Sequence, residues 1–235
     1  MKAPVAVVVP AFDAAGELAE TLDSILAQTT PPTEICVTVD RASTDGTLAV
    51  ARGFEPAVKV VPVAPTTSMH ARQLAVEDTT APLVAPCDAD DVWLRSKLER
   101  QVAALEANDD LDGLFCDVTE FVSHPDEAGA PVVRRPHERI PGRVASALLI
   151  RRPALEAMGG FVADDQLAQW IAWLSGAMDG GLRFGSVDEV LVRRRLRPDS
   201  YTSRHREQTP EMLDTVLDHL TRRRANGDDR APLDR

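Results

Sequence analysis

Residues 83–93 of the chain read LVAPCDADDVW, an apolar run followed at once by three carboxylates within four positions. The apolar run predicts a β-strand, with Pro86 at its terminal or exposed end. Acidic side chains crowded at the end of a buried strand repel one another unless a cation neutralises them. In an open α/β sheet, this end of the strands is also where ligands bind. The segment therefore indicates either a site for a divalent cation carrying a diphosphate, or a turn in which Asp90 or Asp91 caps a helix that begins near Trp93.

The segments before this one predict the architecture of the sheet. Near-continuous apolar runs at residues 5–9, 34–39 and 58–63 are typical of strands buried on both faces of a sheet. Amphipathic or capped segments at residues 17–28 and 47–52 lie between them and predict helices. Strands and helices that alternate at this spacing form βαβ units. We therefore expect an α/β fold, with a mostly parallel sheet flanked by helices.

The rest of the chain continues the pattern less regularly. The sequence predicts a helix at residues 94–108 and a strand at 114–118. A further helix is predicted at residues 166–178, and two short strands at 182–184 and 189–193.

Composition excludes several classes of function. The chain has 235 residues and a net charge of −11, which argues against nucleic acid and anionic membranes as partners. No run reaches the roughly 20 apolar residues of a transmembrane helix, and the N-terminus does not read as a signal peptide. The three cysteines lie within apolar runs, as expected for buried thiols in a reducing compartment. We expect a cytoplasmic protein.

Five separated motifs together resemble the family 2 glycosyltransferases, which have the GT-A fold. They are VVVPAFD at residues 7–13, VDRASTDGT at 39–47, ARQ at 71–73, DADD at 88–91 and GGF at 159–161. Their order and spacing run over most of residues 4–200. The resemblance implies a nucleotide-diphospho-sugar-transferase-like fold that carries a sugar from a nucleotide-diphosphate donor, expected to be UDP-linked, to an unidentified acceptor hydroxyl. It also implies an inverting reaction assisted by Mg²⁺ or Mn²⁺.

The resemblance also implies a domain organisation. A single GT-A domain is expected over residues 1–204. Its nucleotide-binding half spans about residues 1–118 and its acceptor half about residues 119–204. A C-terminal helix and tail are expected at residues 205–235.

The resemblance assigns nucleotide contacts to the first three motifs. Pro10, Ala11 and Phe12 form the expected nucleotide-contacting turn, with Phe12 stacking on the base or else belonging to the core. Asp40 is expected to accept a hydrogen bond from the base imide, with an Asx-turn as the alternative. Arg72 is expected to reach the base or the diphosphate, with an exposed helix charge as the alternative.

The DADD motif is where the resemblance places the metal. Asp88 is expected to hold the ribose or the metal, and Asp90 and Asp91 are expected to ligate Mg²⁺ or Mn²⁺. Such an ion polarises the departing nucleoside diphosphate.

The helix after the GGF motif departs from the family pattern at the catalytic base. Many relatives carry Glu-Asp before a tryptophan there, whereas this chain has Ala168-Gln169 before Trp170. A glutamine amide does not accept a proton at neutral pH. Asp165, with Asp164 beside it, is therefore our candidate base, and a solvated helix cap is the alternative.

A second departure follows the last strand. Relatives have Arg-x-His, whose histidine can bind the metal, whereas residues 193–197 here read RRRLR. Arg197 takes the place of the histidine. It is expected to pair with the diphosphate, the alternative being that the basic run is a solvated edge.

Two other functions fit the same residues. The changes at Gln169 and Arg197 are compatible with a nucleotide-sugar-binding protein of this fold that has lost catalysis. A nucleotidyltransferase can also combine such a sheet with paired acidic residues, although the ARQ and GGF motifs favour a glycosyltransferase.

Overall fold

The computed structural model of the chain describes residues 3–122, 139–162 and 169–196. The predictions that lie outside these ranges concern Asp164, Asp165, Arg197 and the C-terminal segment 205–235.

Nine strands and six α-helices are described within these ranges. The strands are β1 (Val5–Ala11), β2 (Glu34–Asp40), β3 (Lys59–Val63), β4 (Leu83–Pro86), β5 (Val92–Trp93), β6 (Gly113–Val122), β7 (Ile140–Pro141), β8 (Leu149–Arg151) and β9 (Phe184–Leu196). The helices are α1 (Leu18–Leu26), α2 (Thr47–Arg52), α3 (Ser68–Glu77), α4 (Lys97–Glu106), α5 (Arg152–Ala157) and α6 (Gln169–Asp179). A 3₁₀ turn (Ala145–Ala147) precedes β8.

All nine strands belong to one sheet. Its order is β3-β2-β1-β4-β8-β6-β9-β5, and β7 pairs with β6. β1 pairs in parallel with β2 and β4, β2 with β3, and β6 with β9. β8 lies antiparallel between β4 and β6, and β5 pairs antiparallel with the end of β9. The predicted α/β fold with parallel strands and flanking helices is therefore confirmed.

The strand order creates a crevice at the carboxyl ends of β1 and β4. The chain leaves β1 for β2 on one side, then returns from β3 to β4 on the other side. Right-handed crossovers consequently place α1 and α2 on one face of the sheet and α3 on the opposite face. At such a switch point the loops that follow the two strands diverge and leave an opening for a ligand.

Apolar side chains on both faces explain why these elements pack. The valines of β1 are all buried, and α1 and α4 each turn an apolar stripe toward the sheet. Cys36, Cys87 and Cys116 are buried free thiols, as expected from the sequence. None of the helices described between residues 3 and 196 has the length and apolar content needed to cross a bilayer.

The structure corrects the sequence analysis just after the acidic residues. Val92 pairs with Arg193 in β5, and the following helix, α4, begins only at Lys97 with Ser96 as its N-cap. The alternative that Asp90 or Asp91 caps this helix is therefore wrong. A second difference is that β9 is continuous where two short strands were predicted, because it pairs along nearly its whole length with β6.

Candidate active site

The loops that leave β1 and β2 are tied to each other by short polar side chains. We call residues 12–16 and 41–47 the polar loop pair. The Asp13 carboxylate accepts a hydrogen bond from the Thr44 amide at 2.8 Å, and the Thr47 hydroxyl accepts one from the Ala14 amide at 2.8 Å. Asp13 has a φ of 42°, in the left-handed region that aspartate tolerates better than most residues. The loop thus turns sharply away from the end of β1.

Phe12, the residue that follows β1, is half-exposed, at 51% of its free surface. The alternative that Phe12 belongs to the core is therefore wrong. Pro10 and Ala11 are the last residues of β1 and pair with Thr38 and Val39 of β2. An exposed aromatic ring beside two strand ends is a suitable platform for a flat ligand group.

Asp40 lies at the end of β2, and its carboxylate is occupied by the backbone. One oxygen accepts from the Ala42 amide at 2.8 Å, which forms the Asx-turn considered above, and the other accepts from the Thr66 amide at 3.1 Å. Each carboxylate oxygen can accept more than one hydrogen bond. The contact with a base imide stays a prediction.

Residues 88–91, which we call the acidic turn, follow β4 and are held by three separate elements. The Asp88 amide donates to the Ser146 hydroxyl at 3.0 Å. The Thr21 hydroxyl of α1 donates to the Ala89 carbonyl at 2.9 Å, and the Arg195 amide of β9 donates to the Asp91 carboxylate at 2.9 Å. The turn is thus fixed by residues far away in sequence.

Arg72 lies under the acidic turn and neutralises part of its charge. Its side chain is only 4% exposed, so the alternative of an exposed helix charge is wrong. The guanidinium donates to the Asp88 carboxylate at 2.6 Å and lies 6.0 Å from the centre of the Trp170 ring. Nε of Arg72 is buried without a hydrogen-bond partner in the described part of the chain. Whether the guanidinium also reaches a nucleotide stays a prediction.

Asp91 differs from its two neighbours because it is buried. Burial raises the pKa of its carboxyl well above the ordinary value, and the charges of Asp88 and Asp90 raise this pKa further. Hydrogen bonds from Ser146 and from the Arg195 amide act in the opposite direction. Asp91 therefore anchors the turn, whereas Asp88 and Asp90 are partly exposed. That Asp91 also ligates a metal ion stays a prediction.

The chemistry of the acidic turn fits a divalent cation. In the ranges that the structure describes, no group of three or more acidic, histidine or cysteine side chains is arranged as a ready-made metal site. Mg²⁺, however, is usually held by one or two carboxylates together with substrate phosphates, rather than by a cage of protein ligands. Asp88 and Asp90 supply hard oxygen donors. Burial raises the pKa of Asp91 first, and the negative charges of Asp88 and Asp90 beside it raise this pKa further.

Gln73 connects two of the motifs, a role that its sequence position alone did not indicate. Its side-chain oxygen accepts from the Phe161 amide at 2.8 Å, and a Cβ added to Gly160 would overlap this side chain. The Trp173 indole in turn donates to the Gly160 carbonyl at 2.9 Å. The ARQ and GGF motifs are thus in direct contact. This explains why a small residue with positive φ, 88° at Gly160, stands there.

Two other residues of the site were missed. Ser146 is a single polar residue in an otherwise apolar buried stretch, which was a usable signal. Arg195 belongs to the basic run at residues 193–197, yet its side chain is buried against the acidic turn, so the alternative of a solvated edge is wrong there. Gln169 is the first residue of α6, and the candidate bases Asp164 and Asp165 lie outside the described residues.

Comparison with known proteins places these features in a family. Residues 6–157 match the family described as Glycosyl transferase family 2. The chain is 32% identical over 102 residues to the putative teichuronic acid biosynthesis glycosyltransferase TuaG of Bacillus subtilis (strain 168). That alignment covers 42% of this chain and 40% of TuaG.

Solved structures show the same fold. Staphylococcus aureus TarS 1-349 in complex with UDP-GlcNAc has a TM-score of 0.64 and 17% identity, with 85% of this chain and 60% of that chain covered. The mannosyltransferase PcManGT from Pyrobaculum calidifontis, in complex with GDP-Man and Mn²⁺, has a TM-score of 0.67 and 24% identity, with 99% of this chain and 66% of that chain covered. The chain spans less than two thirds of the length of each of these relatives. The motifs, the GT-A fold and the match over residues 6–157 agree, and the chain belongs to glycosyl transferase family 2.

Proposed function

We propose that the chain is a metal-assisted glycosyltransferase that moves a sugar from a UDP-linked donor to an acceptor hydroxyl, with inversion. The acidic turn carries this proposal, because Asp88 and Asp90 present carboxylates at the carboxyl end of β4, beside the switch point. Membership of the family decides against the nucleotidyltransferase alternative. TarS with UDP-GlcNAc and PcManGT with GDP-Man and Mn²⁺ support a nucleotide-sugar donor and a divalent ion.

The residues at the ends of β1, β2 and β4 would each bind a different part of the donor. Phe12 is half-exposed and offers its ring to the base, while Asp40 offers a fixed carboxylate to the base imide. Pro10 and Ala11 end β1 and let the backbone approach the nucleoside. Arg72 orients the Asp88 carboxylate through its 2.6 Å contact.

The acidic turn and Arg197 would serve the leaving group. Asp88 and Asp90, with Asp91 anchoring them, would hold Mg²⁺ or Mn²⁺, which supplies charge stabilisation for the departing nucleoside diphosphate. Arg197 would add a second positive charge on the diphosphate. Asp165, or Asp164 beside it, would take the proton of the acceptor hydroxyl. The acceptor half of the domain and a cytoplasmic location are part of the same proposal.

A second candidate rests on Gln169. This residue begins α6 at the place where relatives have an acid, and an amide accepts no proton at neutral pH. The alternative is therefore a protein that binds the nucleotide sugar and does not transfer it.

Calorimetric titration with UDP, with and without Mn²⁺, tests the binding site. We expect Mn²⁺ to strengthen UDP binding to the parent, and Asp90→Asn to abolish this gain while thermal unfolding is unchanged. Asp110→Asn is the matched control, because this exposed carboxylate pairs with Arg183 before the amino end of β6. Equal gains in the parent and Asp90→Asn would overturn the metal assignment. Release of UDP from UDP-sugars with Mn²⁺ then separates an enzyme from a binding protein.

A further inference from the structure

The Arg195 side chain, near the end of β9, is packed against the acidic turn. It is 7% exposed, and its Nε donates to the Asp90 carbonyl at 2.7 Å. One Nη donates to the Glu20 carboxylate of α1 at 2.5 Å. The guanidinium also lies 4.5 Å from the centre of the Phe121 ring. One side chain thus joins β9, the turn and α1.

The backbone of the same residue reaches the next position of the turn. The Arg195 amide donates to the Asp91 carboxylate at 2.9 Å, so two consecutive turn residues are bound by one residue of β9. Asp91 is buried, and its side chain cannot move outward without leaving this contact. Arg195 therefore fixes both the path of the turn and the carboxylate that anchors it.

We propose that Arg195 is a positioning residue, which keeps the acidic turn in the geometry that Asp88 and Asp90 need to bind a divalent cation and diphosphate. This inference rests on the function proposed above. Three carboxylates in four residues repel one another, and the Arg195 hydrogen bonds to the Asp90 carbonyl and the Asp91 carboxylate hold the turn against this repulsion. The planar fork of arginine serves the Asp90 carbonyl and Glu20 together, whereas the single ammonium of lysine does not have this geometry.

The neighbouring arginine provides a matched control. Arg194 projects from the other face of β9 and pairs with Glu120 of β6 at 3.0 Å, and both side chains are partly exposed. Arg194→Met removes the same charge from the same strand without touching the acidic turn. Glu20→Gln removes the negative charge that faces the Arg195 guanidinium, which weakens this contact while Arg195 stays in place.

Hydrogen–deuterium exchange tests the positioning role without any ligand. We expect Arg195→Met to speed exchange of the amides of residues 88–92 by at least about tenfold, because a charge-assisted hydrogen bond to the turn is lost. Arg195→Lys should exchange at an intermediate rate. The β1 and β2 amides should not change in either variant. Arg194→Met should match the parent throughout.

Binding measurements then connect the turn to the metal. In Arg195→Met we expect the Mn²⁺-dependent part of UDP affinity to fall about 10- to 100-fold, as for other groups that orient metal ligands. UDP affinity without metal should stay within about twofold, a split that a general loss of stability would not produce. Glu20→Gln should show the same split with a smaller loss, and it keeps the question answerable if Arg195→Met does not fold.

The outcomes distinguish this inference from the proposed function. Parent-like exchange at residues 88–92 in Arg195→Met and Glu20→Gln overturns the positioning role, whatever the binding data show. An equal loss of metal-free and metal-dependent binding also overturns it, because the effect would then be general. Failure of the parent to bind UDP with Mn²⁺ overturns the proposed function instead, and the exchange measurement still decides whether Arg195 holds the turn.

Discussion

The polar loop pair and the acidic turn lie on the same edge of the sheet, but they are held in different ways. Apart from the buried Thr47 hydroxyl, the loop pair is stabilised by hydrogen bonds between short, partly exposed side chains and backbone amides, such as Asp13 with Thr44 and Asp45 with Ala15. The acidic turn is held by buried groups from α1, the 3₁₀ turn and β9. Its charge is compensated by Arg72 from α3.

This difference predicts where substitutions matter. Exposed hydrogen bonds exchange with water at little net cost, whereas a buried partner that loses its contact bears the full cost of desolvation. We therefore expect changes in the contacts of the acidic turn to lower both stability and donor binding. Changes in the loop pair should have smaller effects. Three substitutions, taken from the largest expected effect to the smallest, test this comparison.

Arg72→Met should have the largest effect, because it leaves the Asp88 carboxylate without its cation. Removing one partner of a buried ion pair lowers the free energy of unfolding by about 3–5 kcal/mol. Because Asp88 is partly exposed, we expect Arg72→Met to lower it by about 2–3 kcal/mol. UDP binding with Mn²⁺ should weaken at least about tenfold, because an unpaired Asp88 is poorly oriented. Urea denaturation and calorimetric titration measure the two effects.

The Lys59–Asp78 ion pair is the matched control for Arg72. It joins β3 and the end of α3 at 2.7 Å, and both side chains are exposed. Lys59→Met should leave stability and UDP binding unchanged, because exposed ion pairs contribute little. If Arg72→Met and Lys59→Met lose stability equally, the buried ion pair of the acidic turn contributes no more to stability than an exposed ion pair.

Lys97, the first residue of α4, is a buried charge whose effect on stability can be measured through pH. Its ammonium donates to the Gln101 side chain at 2.8 Å and lies 3.9 Å from the centre of the Trp93 ring. Burial lowers its pKa to about 8, below that of an unfolded lysine. The unfolded chain therefore binds more protons than the folded chain between about pH 8 and 10.4, and this group makes stability rise with pH across that window.

The buried thiols have the opposite effect and must be separated from Lys97. Burial raises the pKa of Cys36 to about 12 and that of Cys116 to about 11. The contribution of these thiols to the free energy of unfolding is therefore lost as pH rises above the pKa of an unfolded thiol. The difference in unfolding free energy, parent minus Lys97→Met, removes most of this background. We expect it to rise by about 2–3 kcal/mol between pH 7.5 and 10.5. A flat difference would contradict the lowered pKa.

The contrast between the two regions also explains what the sequence could predict. β1 to β4 were predicted because each is a near-continuous apolar run, and Asp40, Phe12 and Asp88 were placed at strand ends for the same reason. Parallel strands in βαβ units meet at one edge, so local patterns were enough to bring these residues together.

The missing parts depend on pairings between distant segments. β5 has two residues and exists because β9 pairs with it, which no local pattern shows. The contact of Gln73 with Phe161 spans 88 residues, and that of Arg195 with Asp90 spans 105. Arg195 was missed for a further reason: strand alternation turns Arg194 and Arg195 to opposite faces, and the sequence does not say which face the turn covers.

Asp13 should give the smallest effect, and it tests the loop pair directly. The left-handed backbone conformation at position 13 is about 1 kcal/mol less favourable for alanine than for asparagine. Alanine also lacks the oxygen that accepts the hydrogen bond from the Thr44 amide. We expect Asp13→Ala to lose about 1–2 kcal/mol of unfolding free energy and Asp13→Asn less than about 0.5 kcal/mol. Both variants should keep the gain in UDP affinity from Mn²⁺, because neither touches the acidic turn. If Asp13→Asn lost that gain, the two regions would be coupled through the nucleotide site, and the loop pair and the acidic turn would not be supported independently.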